Sequence, residues 1–399
     1  MSSISGSPLQ RFLGVYYAYR FLFDFMLAYA IYTALFELQG LSVTEIGVLL
    51  AFWSASAIVL EMPSGALSDH FDRHVLLVAA PLAKALTFVC WATAGGNFWL
   101  YGLGFLFWSL GQALYSGSSE ALLYERMEAD GRSGEFDKVL GRANAAEGLG
   151  IGFGTLLGGF VAAWSFDWAI WLSIPPLLLA AVLALVLHDA RNPARRQEDA
   201  DAGNYLSHFV DATREFRQHP DLRFVTVYMA AGLIVFELLE EFDQLYYLAV
   251  AVPVWAWGIL GAGIEGVYAL ASVHAHRLAG RPWLAWALPL AGGVLLLLAS
   301  IGASPWFVLL LCAAYVVIAP VTVLAEARFQ RVMEGRSRAT TTSALVMAEN
   351  VGGIAATLLF AWIADGIGIL PAYGWAGLAM VPLALWVVVG QRRGLRATD

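Results

Sequence analysis

Several groups of ionisable side chains lie inside apolar stretches of this chain. An isolated charge in such a place costs at least about 2.5 kcal/mol in a membrane, so each asks for a partner or a wet cavity. Arg20 and Asp24 are four residues apart, which places them on one face of a helix. Counted from Arg11 at about 1.5 Å per residue, Asp24 lies roughly 20 Å along it, past the middle of a bilayer. Tyr16 and Tyr17 stand a turn below Arg20. The pair either neutralises itself and holds the helix, or Asp24 titrates or faces a ligand while Arg20 tunes it. Glu237, Glu240, Glu241 and Gln244 follow at i, i+3, i+4 and i+7, a single polar stripe. Three carboxylates so close cannot all ionise in a low-dielectric site, which is the property a proton carrier needs. Glu240 and Glu241 could equally be solvated at a mouth, and Glu237 lies deeper. Lys84 is the one lysine within an apolar stretch and could neutralise Glu61, Glu349 or an anionic ligand group. Glu349-Asn350 lies near the middle of another stretch.

The elements that carry these groups follow from composition. Hydrophobic residues make up 59% of 399 and charged residues 14%, and the mean hydropathy is +0.67. No soluble domain could bury that much apolar surface, so the expected solvent is lipid. The formal charge of -8 carries no sign of a nucleic-acid partner, because its distribution matters more than its sum. Apolar runs long enough to cross a bilayer fall at 12–36, 44–68, 75–95, 98–124, 142–164, 168–188, 222–248, 254–275, 282–302, 305–327, 340–364 and 373–391. The reading is an all-α membrane protein of twelve transmembrane helices. Of 23 Lys and Arg, all but Arg20 and Lys84 fall at or between segment ends on one side, and the alternate loops contain none. By the positive-inside rule both termini are cytoplasmic, and the membrane expected for such a protein is the cell's inner one.

The segment 189–221 is a polar linker between a first half, 1–188, and a second half, 222–399. Within it Leu206, Phe209, Val210 and Phe216 recur at helical spacing, as in a helix lying on the inner membrane surface, although a solvated linker is equally compatible. The halves echo each other: Phe23-Asp24 with Phe236-Glu237, Glu120-Ala121 with Glu326-Ala327, and Gly141-Arg142 with Ser337-Arg338.

Between the second and third spans stands Gly65-Ala66-Leu67-Ser68-Asp69-His70-Phe71-Asp72-Arg73-His74. It resembles the loop G-x-L-(S/A)-D-(R/H)-(F/Y)-(G/D)-R-(R/K) of the major facilitator superfamily, with Gly65, Asp69 and Arg73 at matching positions. The resemblance implies two pseudo-symmetric six-helix halves with a substrate site near the midplane. It also implies a charge clamp in which Gly65 allows close helix approach and Asp69 pairs across the inner mouth. Glu61, Glu120, Glu147, Glu265 and Glu326 lie towards the same ends, where pairing with loop arginines such as Arg142 and Arg338 would close a gate.

The fifth span carries Gly150, Gly154, Gly158 and Gly159. This resembles the G-x-x-x-G-P-x-x-G-G motif of proton-driven drug exporters, with Thr155 where the motif has proline; such glycines let helices touch backbone to backbone. The exporters' embedded arginine of span 4 has no counterpart between Tyr101 and Ser119. Glu61-Met62-Pro63-Ser64-Gly65 resembles an E-x-P-x-G subgroup of drug:proton antiporters. Together these imply proton-coupled export of an amphipathic or cationic small molecule by a monomer, driven by an ion gradient without a cofactor or metal, with membrane lipid as its other partner. The alternatives are proton-coupled uptake of a polar or anionic metabolite held by Arg20 and Lys84, and a non-transporting receptor or lipid-handling protein. No metal-helix, nucleophile-elbow or phosphate-loop motif is present, so no enzyme is expected.

Overall fold

A computed structural model describes residues 8–70, 72–187, 220–274, 277–278, 280–332 and 338–393. The side chains of 62–70, 220–222, 326–327, 329–332 and 338–349 lie outside that description. So does the whole of the expected linker surface helix.

Every regular element among the described residues is helical, as a chain must be when lipid offers its backbone no hydrogen bonds. The helices are α1 (Pro8–Phe23), α2 (Tyr32–Leu38), α3 (Val43–His70), α4 (Arg73–Ala94), α5 (Phe98–Ala129), α6 (Phe136–Ala162), α7 (Phe166–Trp171) and α8 (Ile174–Ala184). Beyond the linker come α9 (Pro220–Ala249), α10 (Val254–His274), α11 (Leu284–Ala299), α12 (Val308–Val332), α13 (Arg338–Ile367) and α14 (Ile369–Arg392). With α1 joined to α2 and α7 to α8, these make the twelve spans of a two-half membrane fold.

Their ends have local causes. Asn97 caps α5 by accepting from the backbone N–H of Trp99 and Leu100 at 3.0 and 3.3 Å. Gly95 closes α4 in the left-handed region at φ 53°. Trp99, Trp164 and Trp306 are exposed beside loops that lack arginine, the position of an aromatic belt. The expected 65–74 loop is mostly helix: α3 runs to His70 and α4 starts at Arg73.

Two departures from straight spans matter for the site. The first span breaks between Phe23 and Tyr32, where a short 3₁₀ turn, Leu27–Ala30, replaces α-helix. The sixth divides between α7 and α8 at Leu172–Ser173.

The chain forms two compact units. One contains α1, α3 from Phe52 onward, α4 to α8 and Val254–Ala262 of α10. The other contains α2 from Phe36, α3 up to Ala51, α9, α10 from Gly263 and α11 to α14.

Candidate functional site

In the first unit the embedded charges are matched pair by pair, but not as the i,i+4 spacing predicts. Because α1 ends at Phe23, Asp24 leaves the helix face that carries Arg20. Its Oδ1 instead accepts from Lys84 Nζ at 2.7 Å and from the Tyr29 hydroxyl at 3.1 Å. Lys84 is 1% exposed, and its ammonium lies 4.0 Å from the centre of the Phe23 ring and 5.4 Å from that of Trp108. Thus the expected partners of Lys84, Glu61 and Glu349, give way to Asp24.

Arg20 reaches α6 instead. It pairs with Glu147, donates to Asn144 Oδ1 at 2.8 Å and to the Tyr16 hydroxyl at 3.3 Å, and lies over the ring of Tyr115. Tyr115 in turn donates to Glu147 Oε2 at 2.8 Å. Glu147 therefore serves an embedded arginine rather than the loop arginines expected for it. A third pair joins Arg73 to Glu125 of α5 at 2.6 Å, a partner that the motif reading did not include.

The break in the first span is held from both sides. Met26 N bonds back to Asp24 O at 3.0 Å, and Ala28 N donates to Ser173 Oγ at 3.0 Å, at the junction of α7 and α8. The glycines of α6 cover the remaining backbone. Gly150 abuts Phe21 O, Gly158 abuts Leu27 O, and a Cβ on Gly154 would lie 2.6 Å from Met26 N. Gly159 meets Gly258 of α10 in the same backbone-to-backbone fashion. Irregular backbone at membrane depth is tolerated where protein buries it and satisfies its polar groups, as these contacts do for Met26 N and Ala28 N.

In the second unit the stripe on α9 divides. Glu237 and Glu240 open onto a cavity of about 230 Å³ whose other walls are Leu233, Phe236, Ile264, Glu265 and Tyr268. Glu241 and Gln244 are not among its walls; Gln244 is buried and Glu241 half-buried. Glu265, expected to meet a loop arginine, instead shares the cavity wall with Glu240. Carboxyls gathered on one cavity repel one another when all are ionised, so a proton or a positive ligand stabilises them. Three carboxyls, two aromatic rings and, among the described residues, no basic side chain make a surface suited to a cation with apolar groups.

Asp243 was not singled out by the stripe, yet it is the most enclosed acid of α9. Phenols of Tyr247, Tyr315 and Tyr373 surround it. Its spacing of three from Glu240 and four from Tyr247 was the signal available.

The remaining sequence candidates are more dispersed. Glu61, Glu120 and Arg142 are exposed, and Asn350 is half-buried. The side chains of Gly65, Asp69, Glu326, Arg338 and Glu349 lie outside the described residues.

Twelve spans in two halves, with charges paired inside one and an acidic cavity in the other, define an integral membrane transporter and not an enzyme. The sequence matches the Major Facilitator Superfamily over residues 13–357, and the chain belongs to that family. No curated protein sequence matches it. Among solved structures it resembles the nucleoside transporter NupG in a mutant form, with TM-score 0.78 and 13% identity over 96% of this chain and 99% of that one. It also resembles a bacterial homologue of the human lysosomal transporter Spinster in an inward-facing, unoccupied conformation, with TM-score 0.71 and 15% identity over 96% of each chain. A mutant of the peptide transporter POT in complex with alafosfalin gives TM-score 0.69 and 13% identity over 100% of this chain and 97% of that one. At these identities the likeness is one of fold.

Proposed function

We propose that the protein is a secondary active transporter of the inner membrane that exports amphipathic or cationic small molecules in exchange for protons by alternating access. Both termini are cytoplasmic in this reading, and the protein works as a monomer in lipid. It uses no cofactor and no nucleic-acid partner, and the proton gradient supplies the energy. The observation that carries the reading is the cavity walled by Glu237, Glu240, Glu265, Phe236 and Tyr268. A cation entering it meets carboxyls that need either a positive ligand or a proton. Binding of the cation releases a proton from these carboxyls, and rebinding of a proton expels the cation. Mutual exclusion of the two is antiport. The glycines of α6 and the Glu61–Gly65 pattern, which resemble those of exporters, agree with this direction.

The uptake reading needs Arg20 and Lys84 to receive an anionic substrate. Both are paired, with Glu147 and Asp24, which favours export over uptake of an anionic substrate.

The test is reconstitution into vesicles with an internal pH reporter, a panel of organic cations and small carboxylates, and an imposed proton gradient. Cation-driven proton movement that disappears in Glu237→Gln is the expected result. A response to carboxylates that requires Lys84 would overturn export in favour of uptake, and no proton movement with any ligand would overturn proton coupling.

A further inference from the structure

Asp243 is 4% exposed in the core of the second unit, three residues along α9 from Glu240. No Lys, Arg or His forms an ion pair with it among the described residues. Its partners are phenols. Tyr315 of α12 and Tyr373 of α14 each donate to Oδ1 at 2.9 Å, and Tyr247 of α9 donates to Oδ2 at 3.3 Å.

Tyr373 has a second acceptor: its hydroxyl also lies 2.9 Å from the backbone oxygen of Leu239. A phenol has one hydrogen to donate, so two acceptors at equal distance are one too many. Leu239 O already accepts the helical N–H four residues on, and its second lone pair is free for the phenol.

This arrangement satisfies Asp243 in both protonation states. As a carboxylate it accepts from three phenols. As a carboxylic acid it would ordinarily set its own hydrogen against that of a phenol and leave a buried donor unmatched, at a cost of about 1–3 kcal/mol. Here the Tyr373 hydrogen turns to Leu239 O, and the Tyr373 oxygen accepts from the acid. Asp24 has no such freedom, because protonating it would strand the ammonium of Lys84.

We propose that Asp243 is a proton-binding residue of the transport cycle and that Tyr373 is its switch, an inference that rests on the proton-coupled reading above. The incoming proton leaves a hydronium ion, one O–H bond of which breaks as a new O–H bond forms on Oδ1. The Tyr373 hydroxyl rotates from Oδ1 to Leu239 O, and the new Asp243 O–H donates to the phenol oxygen. Release reverses these steps, and no other bond forms or breaks.

The cavity is linked to this switch by packing. Phe236, one of its walls, meets the Tyr315 ring edge-on at 5.1 Å and lies 5.7 Å from the ring of Tyr268. A ligand that displaces Phe236 therefore displaces a donor to Asp243. The titratable groups around Asp243 are Glu240, Glu241, Tyr246 and Tyr247 on its own helix, Cys312 and Tyr315 on α12, and Tyr373 on α14. On α13, which also packs against α9, Asp365 is bonded to Thr44, and the side chain of Glu349 is outside the described residues.

Infrared difference spectroscopy of the full-length protein in lipid nanodiscs, titrated with pH, reads this directly. A protonated-carboxyl band present in the wild type, lost in Asp243→Asn and kept in Glu240→Gln is the expected result. Tyr373→Phe, which keeps the shape of the core, should retain the band with a changed titration midpoint. The same titrating band in Asp243→Asn, or an unchanged midpoint in Tyr373→Phe, would overturn the proposal. In vesicles, Asp243→Asn should lose proton-driven substrate accumulation while keeping substrate counterflow at equal pH, and retained accumulation would equally overturn it. A wild type without cation-driven proton movement would bring down the antiport reading alone, since the infrared titration decides the role of Asp243 in either case.

Discussion

Lys84 and Asp24 illustrate how a single residue's environment outranks its spacing. The i,i+4 rule paired Asp24 with Arg20, but the rule holds only while the helix continues, and α1 stops one residue short of Asp24. The ammonium is fully enclosed, so removing either partner strands the other in a low-dielectric interior. Breaking such a pair costs about 3–5 kcal/mol, whereas replacing both partners with neutral groups of similar volume is often neutral. Lys84→Met and Asp24→Asn should each lower the thermal unfolding temperature in detergent, and the double variant should recover most of the loss. Equal and additive losses in a double-mutant cycle would show that the 2.7 Å contact contributes no coupling.

At the scale of elements, α6 and the broken first span form one device. The number and type of spans were legible, because a twenty-residue apolar run in lipid has few alternatives to helix. The break was not: Phe21 to Tyr32 contains neither glycine nor proline. Its causes are distant in sequence, namely Ser173, Lys84 and the glycine face of α6. The glycine spacing announced a close backbone approach but could not name the partner. Likewise the polar stripe on α9 was legible, while the division between Glu240 at the cavity and Gln244 in the packed interior depends on the neighbouring helices. Gly154→Ala would drive a Cβ to 2.6 Å from Met26 N, whereas Gly152 faces open space within 4 Å. Overpacking of this kind costs about 1–3 kcal/mol. Gly154→Ala should thus unfold at lower temperature than wild type and Gly152→Ala should match it, as measured by thermal unfolding of the two purified variants side by side.

Across the whole molecule, the two halves treat charge oppositely. The first neutralises Arg20 with Glu147, Lys84 with Asp24 and Arg73 with Glu125. In the second, Glu237, Glu240 and Glu265 share a cavity whose walls, among the described residues, include no basic side chain. The sequence echo of Phe23-Asp24 with Phe236-Glu237 therefore conceals a difference in environment, because Asp24 meets Lys84 while Glu237 lines the cavity. On the proposed function, this asymmetry gives the positive ligand to the acidic cavity and leaves the paired half to hold its helices. If cation and proton compete for the same carboxyls, the affinity for a cation must fall as pH falls. With one proton exchanged per cation, the apparent Kd should rise by up to about tenfold for each pH unit on the acid side. Glu237→Gln removes a charged partner of the cation worth about 1.5–3 kcal/mol and should weaken binding by roughly ten- to a hundredfold. The neutral double variant Asp24→Asn/Lys84→Met should keep the same cation affinity and the same pH slope. Binding of a fluorescent organic cation to purified protein across a pH series measures all three. A pH-independent Kd would remove competition as the basis of exchange, and a loss of affinity confined to the Asp24/Lys84 variant would move the cation site to the first half.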